Sequence, residues 1–232
     1  MTEISEHLST KIEAVKEILV NIVDDHHPAT LASSYGAEDM VLMDLICKFA
    51  PEIEIFSLDT GRLPQQTYDV MQEVKAHYNQ TVKVYFPETS DVEAYVTQQG
   101  SNAFYDSVEL RKQCCGIRKV EPLKRALMGK KAWLTGMRRS QAVTRSELPL
   151  SEYDEDHGLQ KFSPLTDWSN GDVWAYIKAF DVPYNKLHDQ GYASIGCAPC
   201  TRAITAGEDI RAGRWWWEDL ENKECGLHVK DH

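Results

Sequence analysis

Apolar residues recur at helical spacing near the start of the chain. Between residues 4 and 23 most are separated by three or four positions, and the set is Ile4, Leu8, Ile12, Val15, Ile18, Leu19 and Ile22. A helix with 3.6 residues per turn brings such positions onto one face. The pattern therefore predicts an amphipathic N-terminal helix whose apolar face packs against the rest of the protein.

Short apolar runs alternate with amphipathic segments through the middle of the chain. The runs predict strands at 30–34, 53–58, 82–86 and 132–134, and the segments predict helices at 38–49, 65–78, 90–98 and from Cys115 to Met128. Ser90 is the expected N-cap of the third of these helices. Alternation of this kind predicts an α/β fold, in which helices flank a mostly parallel sheet.

Periodicity weakens towards the C-terminus. A last short strand is expected at 162–165, and a helix at 170–180 begins at a cap among Asp167, Ser169 and Asn170. From Pro183 onward glycine and proline recur, which predicts loops and short helices. We expect a single domain over residues 1–214 and a mobile tail over 215–232, because terminal segments without periodicity are commonly poorly ordered.

Composition places the chain among soluble globular proteins. Its 232 residues are 42% hydrophobic and 26% charged, which is an ordinary balance. No apolar run approaches the 18 or so residues of a membrane span, and the first residues lack a signal-peptide pattern. We therefore expect a cytoplasmic protein without membrane association, in which cysteines serve metal binding or catalysis more often than disulfides.

Charge is distributed unevenly along the chain. The net charge of −11 argues against broad nucleic-acid binding. However, Arg111 to Arg145 contains eleven Lys or Arg residues and one acid, Glu121, so this segment carries +10 and the remainder −21. A basic segment within an acidic surface can focus its field on a small anion. The alternative is a solvated helix face.

Cysteine spacing is the most specific chemical signal. Cys114 and Cys115 are adjacent, Cys197 and Cys200 form a Cys-x-x-Cys pair, and Cys225 stands alone near the end. Two close pairs are typical of thiolates that bind a metal or an iron–sulfur centre. Zinc would need four sulfurs within roughly 4 Å of each other, yet neighbouring residues on a helix diverge by about 100°. This favours a [4Fe–4S] cluster, with zinc and reactive dithiols as alternatives.

Two loops that follow predicted strands carry candidate anion ligands. Small residues after the first strand let backbone N–H groups approach a phosphate at a helix N-terminus, although a plain turn is the alternative. After the second strand, Gly61 allows a tight turn, Asp59 can accept a hydrogen bond, and Arg62 can donate to a phosphate. The candidates are Ser33, Ser34, Gly36, Ala37, Glu38 and Asp39 in the first loop and Leu58, Asp59, Gly61 and Arg62 in the second.

Arginines mark two further segments. Arg138 and Arg139 follow the 132–134 strand, with Arg145 shortly after, which suggests a loop that binds phosphate or sulfate. Arg211 and Arg214 precede three consecutive tryptophans at 215–217. Three adjacent indoles cannot all face one core, so some are expected at an interface or against the tail.

Together these motifs resemble the assimilatory adenylylsulfate (APS) reductases, the iron–sulfur branch of the APS/PAPS reductase family. The resemblance extends from Thr30 to His228 and includes Cys-Cys, Cys-x-x-Cys and Glu-Cys-Gly-Leu-His in the family's order. It implies an adenine nucleotide alpha hydrolase-like fold. It also implies APS as the substrate, thioredoxin as the electron donor, and a homo-oligomer.

The resemblance assigns a role to each motif. Cys114, Cys115, Cys197 and Cys200 would bind one [4Fe–4S] cluster per subunit, and Cys225 would attack the sulfur of APS to form S-sulfocysteine. The two strand-end loops would hold the adenosine phosphate. The phosphosulfate would meet Lys119, Arg145, Arg211, Arg214 and His228, with Arg138 or Arg139 able to replace Arg145.

Three other functions compete with this one. A PAPS reductase acts on a substrate with an additional 3′-phosphate, but proteins of that type generally lack the two Cys pairs. Dual activity on APS and PAPS is part of this alternative. A zinc module or a sulfurtransferase-type ATP pyrophosphatase would normally carry a Ser-Gly-Gly-x-Asp-Ser-type loop, which is absent after Ser34. A scaffolding role would leave Cys225 and the basic segment without a function.

Overall fold

The computed structural model describes residues 4–141 and 145–218. These residues form two compact units, each assembled from separate stretches of chain. The described part of the first unit comprises 4–57, 65–83, 129–141 and 145–186, and that of the second comprises 58–64, 84–128 and 187–218. The predicted boundary between a domain ending at 214 and a tail starting at 215 stays a prediction.

A six-stranded sheet is the framework of the described chain. Its strands are β1 (Ala29–Ser33), β2 (Glu54–Leu58), β3 (Val82–Tyr85), β4 (Ala132–Leu134), β5 (Ser151–Asp154) and β6 (Leu159–Phe162). Their order is β3-β2-β1-β4-β6-β5. β1 pairs in parallel with β2 and β4, β4 pairs in parallel with β6, and β5 and β6 are antiparallel. The predicted mostly parallel α/β fold is confirmed.

The strand order reverses at β1. β2 and β3 continue to one side, whereas β4 pairs with the other edge, with Leu31 opposite Leu134. In open α/β sheets, ligands bind outside the carboxyl ends of the strands at such a reversal, because the loops there diverge to opposite faces and leave a crevice. The topology thus singles out the loops after β1 and β4.

Seven α-helices are described. They are α1 (Glu6–His26), α2 (Ala37–Phe49), α3 (Gln65–His77), α4 (Thr89–Gln99), α5 (Val108–Cys115), α6 (Glu121–Leu127) and α7 (Asn170–Phe180). α1, α2, α3 and α7 belong to the first unit, and α4, α5 and α6 to the second. None of these described helices combines the length and apolar content needed to cross a bilayer.

The amphipathic pattern of α1 is confirmed. Ser5 caps the helix because its Oγ accepts from the Leu8 N–H at 3.2 Å. The side chains buried along one face are Leu8, Ile12, Val15, Leu19 and Ile22. Each such side chain contributes about 1.5–3 kcal/mol when fully removed from water, so this face holds the helix on the first unit.

Helix α2 is buried nearly all round and contains one acid in its middle. Residues 40–46 are all inaccessible, Asp44 included. The Asp44 carboxylate accepts from Lys48 Nζ at 2.6 Å, Tyr78 Oη at 3.0 Å and Tyr176 Oη at 2.5 Å. A buried carboxylate is tolerated only when it is paired and hydrogen-bonded in this way.

Two predicted helices differ from the structure in where they begin. α4 begins at Thr89, and the predicted Ser90 cap is wrong because no side-chain cap bond is present. α5 begins at Val108 behind the Ser107 cap, so the helix starts before the adjacent cysteines; a π-helical turn at Gly116–Val120 then leads into α6. The propensity pattern did not reveal the Ser107 cap.

The strand predicted at 162–165 is displaced. β6 ends at Phe162 and pairs with β5, which was not predicted. The four residues of β5 read Ser-Glu-Tyr-Asp, with little apolar character, so an exposed edge strand of this composition gives no periodic signal. By contrast, α7 matches its prediction, because Ser169 and Asp172 form a capping box.

Asp172 links the start of α7 to α1. Its carboxylate accepts from Lys11 Nζ at 2.7 Å, from the Ser169 N–H at 2.8 Å and from His7 at 3.1 Å. Burial pushes the pKa of Asp172 upward, but the donors Lys11 and Ser169 outweigh burial and hold it well below its usual range. The ionised carboxylate therefore stabilises the folded state.

We predict that Asp172→Asn lowers the free energy of unfolding by about 1 kcal/mol at pH 7, the typical cost of losing a cap. The folded-state pKa is depressed, so this stabilisation is present above the unfolded pKa of about 3.9 and fades as the pH falls below it. Urea denaturation between pH 7 and pH 2.5 measures both. Asp156→Asn, at an exposed turn position, is the control and should change stability by less than about 0.5 kcal/mol. A difference from wild type that persists unchanged at pH 2.5 would contradict the assignment.

Candidate functional site

The loop between β1 and α2 has an unusual backbone. Tyr35 adopts a left-handed φ of 59°, and its side chain is buried. Burial raises the pKa of Tyr35 to about 12, partly offset by a hydrogen bond with Ser57. A non-glycine residue persists in this region only when its surroundings fix it. Packing of the Tyr35 ring therefore sets the course of the loop.

The carboxylate of Asp39 holds this loop to the loop after β4. Its Oδ2 accepts from the Ser34 N–H at 2.6 Å and the Ser34 hydroxyl at 2.7 Å, and its Oδ1 accepts from the Gly136 N–H at 3.2 Å. Burial raises the pKa of Asp39 to about 6, with a smaller contribution from Glu38 and with the three hydrogen bonds opposing it. Asp39 thereby connects the two loops at the strand reversal.

Arg138 forms a second connection between the same loops. The guanidinium is buried and donates to Glu38 Oε1 from Nε at 3.1 Å and from Nη2 at 2.6 Å. Its Nη1 donates to Ser140 Oγ at 2.6 Å and to the Trp168 carbonyl at 3.1 Å. These contacts are those of a structural brace. The predicted contact of Arg138 with a ligand stays a prediction.

Close approach at Gly136 allows both connections. A Cβ on this residue would overlap the Asp39 carboxylate and would lie 2.9 Å from Glu38 Cβ and 3.0 Å from the Asp39 nitrogen. Only glycine leaves room for the two loops to come this near. The sequence showed Gly136 after the strand but did not show which loop it meets.

The start of α2 has the character of an anion site. Gly36 is the N-cap and has no side-chain cap, so the N–H groups of the first turn are not capped by a side chain. The carboxylate of Glu38 is paired with the buried Arg138 guanidinium, and the carboxylate of Asp39 accepts three hydrogen bonds. The positive end of the helix dipole can therefore act on an anion such as a phosphate.

The loop after β2 belongs to the second unit and is closed by local contacts. Asp59 Oδ1 accepts from the Gly61 N–H at 2.8 Å, and Gly61 has a φ of 70°. Arg62 donates to the Ser101 carbonyl and to Asn102 Oδ1, and its guanidinium lies 4.9 Å from the centroid of the Phe104 ring. Leu58 ends the strand itself.

The second unit contains a small cavity in which both cysteine pairs meet. Among the described residues, its lining comprises the four thiols and four cationic side chains and includes no acid. These residues are Cys114, Cys115, Cys197 and Cys200, with Arg62, Arg111, Arg118, Lys119, Phe104, Pro199 and Trp215. The structure therefore brings both cysteine pairs to one cavity, and their binding of a cluster stays a prediction.

Local backbone structure orients the thiols. Cys114 and Cys115 end α5, directly before the π-helical turn that contains Arg118 and Lys119. π-Helical turns are rare and often occur at functional sites. The second pair lies on a 3₁₀ turn, Ala198–Cys200, whose Ala198 N–H donates to the Arg62 carbonyl at 2.8 Å. Tyr105 Oη also donates to the Pro199 carbonyl at 2.7 Å.

Buried cations balance the sulfurs. Arg118 Nη1 donates to the Thr60 carbonyl at 2.6 Å, and the Thr60 hydroxyl lies 3.2 Å from Cys197 Sγ. Burial raises the pKa of Cys200 to about 12, with Cys197 adding to the effect and Lys119 opposing it. Burial likewise raises the pKa of Cys114, and Arg118 opposes it. Thiolates here need positive charge, from these side chains or from a bound metal centre.

The residues fit an iron–sulfur centre in their chemistry. Thiol sulfurs are the ligands that such centres take. The buried Trp215 indole N–H has no hydrogen-bond partner among the described residues, and Trp215 lines the cavity. An additional sulfur acceptor would satisfy it. Within residues 4–141 and 145–218, no group of three or more His, Cys, Asp or Glu is arranged to hold a single metal ion.

Three residues at the cavity were not singled out as site residues by sequence reasoning. Arg111, Arg118 and Thr60 each contribute to the cavity or its lining contacts. Both arginines lie in the basic segment that begins at Arg111. The count of Lys and Arg residues in that segment indicated an anionic site, but it did not show which of these residues lie beside the cysteines. Thr60 lies within the predicted Leu58–Arg62 loop, but nothing in its sequence context indicated contact with a cysteine.

The other predicted arginines are not among the described residues that line the cavity. Arg139 pairs with Asp167, and Arg145 Nη1 donates to Gln141 Oε1 at 2.7 Å, both in the first unit. In the second unit, Arg211 is half-buried and Arg214 is buried, with its Nη1 3.2 Å from Ser194 Oγ and from the Ile195 carbonyl. Cys225 and His228 lie outside the described residues.

The fold and its two sites define an α/β protein with a nucleotide-type crevice at the strand reversal and a cysteine-lined cavity. Residues 28–203 match the family model described as the phosphoadenosine phosphosulfate reductase domain. Because this match covers most of the sequence, the chain belongs to the phosphoadenosine phosphosulfate reductase domain family.

Several curated relatives are similar over nearly their whole length. The adenosine 5′-phosphosulfate reductase of Allochromatium vinosum is 52% identical over 97% of this chain and 88% of its own. That of Burkholderia cepacia is 52% identical over 98% of this chain and 91% of its own. The Neisseria meningitidis serogroup A protein of the same name is 53% identical, with 95% and 91% covered.

Solved structures agree with the fold. A phosphoadenylyl-sulfate (PAPS) reductase from Candida auris, solved as a phosphate complex, has a TM-score of 0.71 and 31% identity, covering 88% of this chain and 99% of that one. A Candida glabrata FMN adenylyltransferase has a TM-score of 0.61 at 14% identity, covering 97% of this chain and 78% of that one. At that identity the second likeness shows the fold alone.

We predict that Gly136→Ala destabilises the protein by about 1–3 kcal/mol, the usual cost of inserting a methyl group into a packed region. The added Cβ would displace Asp39 and separate the loops after β1 and β4. Urea denaturation measures the change. Gly171→Ala is the matched control, because its Cβ would meet only the Ser169 hydroxyl at 3.6 Å. Equal stability of the two variants would show that the close approach at Gly136 is not required.

Proposed function

We propose that this protein reduces adenosine 5′-phosphosulfate to sulfite and AMP in sulfate assimilation and cysteine biosynthesis. The proposal rests on the names of the relatives together with the cysteine-lined cavity. Relatives about half identical over nearly the full chain are named adenosine 5′-phosphosulfate reductases, and both predicted cysteine pairs line one cationic cavity. The family membership supplies the reaction class, and the cavity supplies chemistry suited to an anionic sulfur substrate.

The adenosine phosphate is assigned to the strand-end loops. Ser33 to Asp39 precede and begin α2, where first-turn N–H groups without a side-chain cap and the helix dipole favour a phosphate. The strand reversal at β1 is the usual ligand position in this class of sheet. Leu58 to Arg62 is proposed to contribute the remaining contacts. The related Candida auris protein was solved as a phosphate complex, which supports a phosphate site in this fold.

The four cavity cysteines are proposed to hold one [4Fe–4S] cluster per subunit. Cys114, Cys115, Cys197 and Cys200 would each provide a thiolate, and the cationic lining would offset that negative charge. When bound, the cluster would contribute charge and positioning next to the substrate. Lys119 lines the same cavity and is proposed to extend that positive charge towards the sulfate group.

Cys225 is proposed as the nucleophile. Its thiolate attacks the sulfur of the phosphosulfate, so an S–S bond forms as the bond from sulfur to the bridging oxygen breaks and AMP leaves with that oxygen. The product is S-sulfocysteine. A thioredoxin thiolate then attacks Cys225 Sγ and releases sulfite, and the second thioredoxin thiol resolves the mixed disulfide. Thioredoxin is oxidised by two electrons, and each covalent step is easier than a direct reduction.

Cationic side chains are proposed to screen the substrate. A thiolate approaching a sulfate group needs its own pKa lowered and the substrate charge reduced. Arg145, Arg211, Arg214 and His228 are assigned this role by the resemblance. The braced position of Arg138 and the ion pair of Arg139 with Asp167 favour Arg145 as the ligand of that loop.

A PAPS reductase is the second candidate. The family model carries the phosphoadenosine phosphosulfate name, and the two substrates share the phosphosulfate and differ by one 3′-phosphate. The cysteine-lined cavity favours APS, because the resemblance links the two Cys pairs to the APS branch. Initial rates on both substrates with thioredoxin decide between them, and a higher kcat/KM on PAPS would reject APS as the substrate.

Cellular setting and assembly are proposed on the same basis. None of the five described cysteines is in a disulfide, which agrees with a proposed location in the reducing cytoplasm, where thioredoxin acts. A homo-oligomer stays a prediction of the resemblance.

We predict that Cys225→Ser abolishes sulfite release while leaving AMP affinity within about twofold, because only the attacking atom is replaced. Wild-type protein mixed with APS in the absence of reductant should gain the mass of SO₃ on the peptide containing Cys225. Cys47→Ser is the matched control, since Cys47 lies half-buried in α2 of the first unit. Full turnover by Cys225→Ser would remove the proposed nucleophile.

We also predict about four iron atoms and four acid-labile sulfides per chain in anaerobically purified protein, as expected for one cubane cluster. Cys197→Ser should lose most of both, because it removes one thiolate ligand. Stoichiometric zinc without sulfide would support the zinc alternative and would overturn the cluster assignment.

A further inference from the structure

A buried ion pair in the second unit lies outside the roles assigned so far. The side chains of Arg111 and Glu218 are 1% and 4% exposed. Arg111 Nε donates to Glu218 Oε1 at 3.0 Å, and its Nη2 donates to Oε2 at 2.7 Å. Two parallel bonds of this type fix the relative orientation of the groups as well as their distance. The pair therefore connects α5 to residue 218.

Trp215 is packed between two guanidinium groups next to this pair. Arg111 lies 4.8 Å and Arg214 4.7 Å from the centroid of its ring. Its φ of 40° is left-handed, and the side chain is 1% exposed. The Glu218 N–H donates to the Trp215 carbonyl at 2.9 Å, which closes a turn. A strained backbone of this kind is retained where its position matters.

Stability alone is a poor explanation for the pair. Taking both charges out of water costs about as much as their attraction returns, and apolar residues of similar volume often serve a fold equally well. What a bidentate pair adds is a single defined geometry. Here the pair fixes the position of residues 215–218, the last described residues, relative to α5.

Chain length makes this position relevant to the proposed nucleophile. Cys225 is the seventh residue after Glu218, and an extended chain spans at most about 3.6 Å per residue. The Cα atoms of Glu218 and Cys225 are therefore at most about 25 Å apart. Fixing one end of a short tether raises the effective concentration of the group at the other end.

We propose that Arg111 and Glu218 are positioning residues that fix the base of the segment carrying Cys225. This rests on the proposed function of Cys225 as the nucleophile. Arg111 also lines the cysteine cavity, so one guanidinium faces both the thiols and the base of the reactive segment. The pair acts at the base of that segment, without contacting substrate or taking part in a bond change.

Glu218→Gln tests the proposal with the least change in shape. It removes the negative charge and one of the two acceptors while leaving the side-chain volume. Glu208→Gln is the matched control, because Glu208 makes a bidentate pair with Arg202 in the same unit, with bonds of 3.0 and 2.7 Å, but in a more exposed setting. Both variants are compared as intact protein loaded with iron and sulfide.

Four measurements separate positioning from a purely structural role. The peptide spanning residues 215–218 should exchange amide hydrogen faster in Glu218→Gln. The single-turnover rate of SO₃ transfer to Cys225 without thioredoxin should fall by about tenfold to a hundredfold, as expected for a misplaced reactive group. AMP affinity and iron content should stay within about twofold of wild type. Glu208→Gln should match wild type in all four.

The outcomes distinguish this inference from the function on which it rests. If wild-type protein forms no SO₃ adduct, the proposed nucleophile is wrong and the exchange measurement alone decides whether the pair fixes the segment. If wild type forms the adduct and Glu218→Gln forms it at the same rate, the positioning role is rejected. Parallel loss of AMP affinity, iron and transfer rate would reject it in favour of a structural role. Should Glu218→Gln fail to fold, Glu218→Asp, which keeps the charge and shortens the reach, is measured in its place.

Discussion

One buried carboxylate holds the candidate nucleotide crevice together. Asp39 accepts two hydrogen bonds from Ser34 and one from the Gly136 N–H, and so it ties the loop after β1 to the loop after β4. Because β1 and β4 are neighbours at the strand reversal, their loops border the crevice that this class of sheet uses for ligands. The link depends on the close approach at Gly136, where a Cβ would overlap the Asp39 carboxylate.

The same site shows how acids and an anion site can coexist. Two carboxyl groups in the first turn of α2 would ordinarily repel a phosphate. Glu38 is paired with the buried guanidinium of Arg138, and the charge of Asp39 is offset by the three hydrogen bonds that its carboxylate accepts. The acids organise the loop while contributing little repulsion, and the helix N-terminus keeps its favourable potential.

The second unit concentrates positive charge around sulfur. Four cationic side chains and four thiols line one cavity, and Arg118 reaches both the cysteine segment and the Thr60 carbonyl. Arg111 extends this arrangement to Glu218, the last described residue before the segment with the proposed nucleophile. A reaction that brings a thiolate to an anionic sulfate needs both features, because charge must be screened and the attacking group must be held within reach.

Local patterns in the sequence determined a large part of this structure. The apolar stripe of α1, the bounds of β4 and α7, the parallel α/β class and the two cysteine pairs could all be read directly, because each depends on residues close in sequence or on the period of one element. The tertiary structure alone decided that β4 lies beside β1, that Gly136 meets Asp39, and that Arg111 pairs with Glu218. Those contacts join segments about a hundred residues apart, and their energies depend on burial and exact distance, which no local pattern contains.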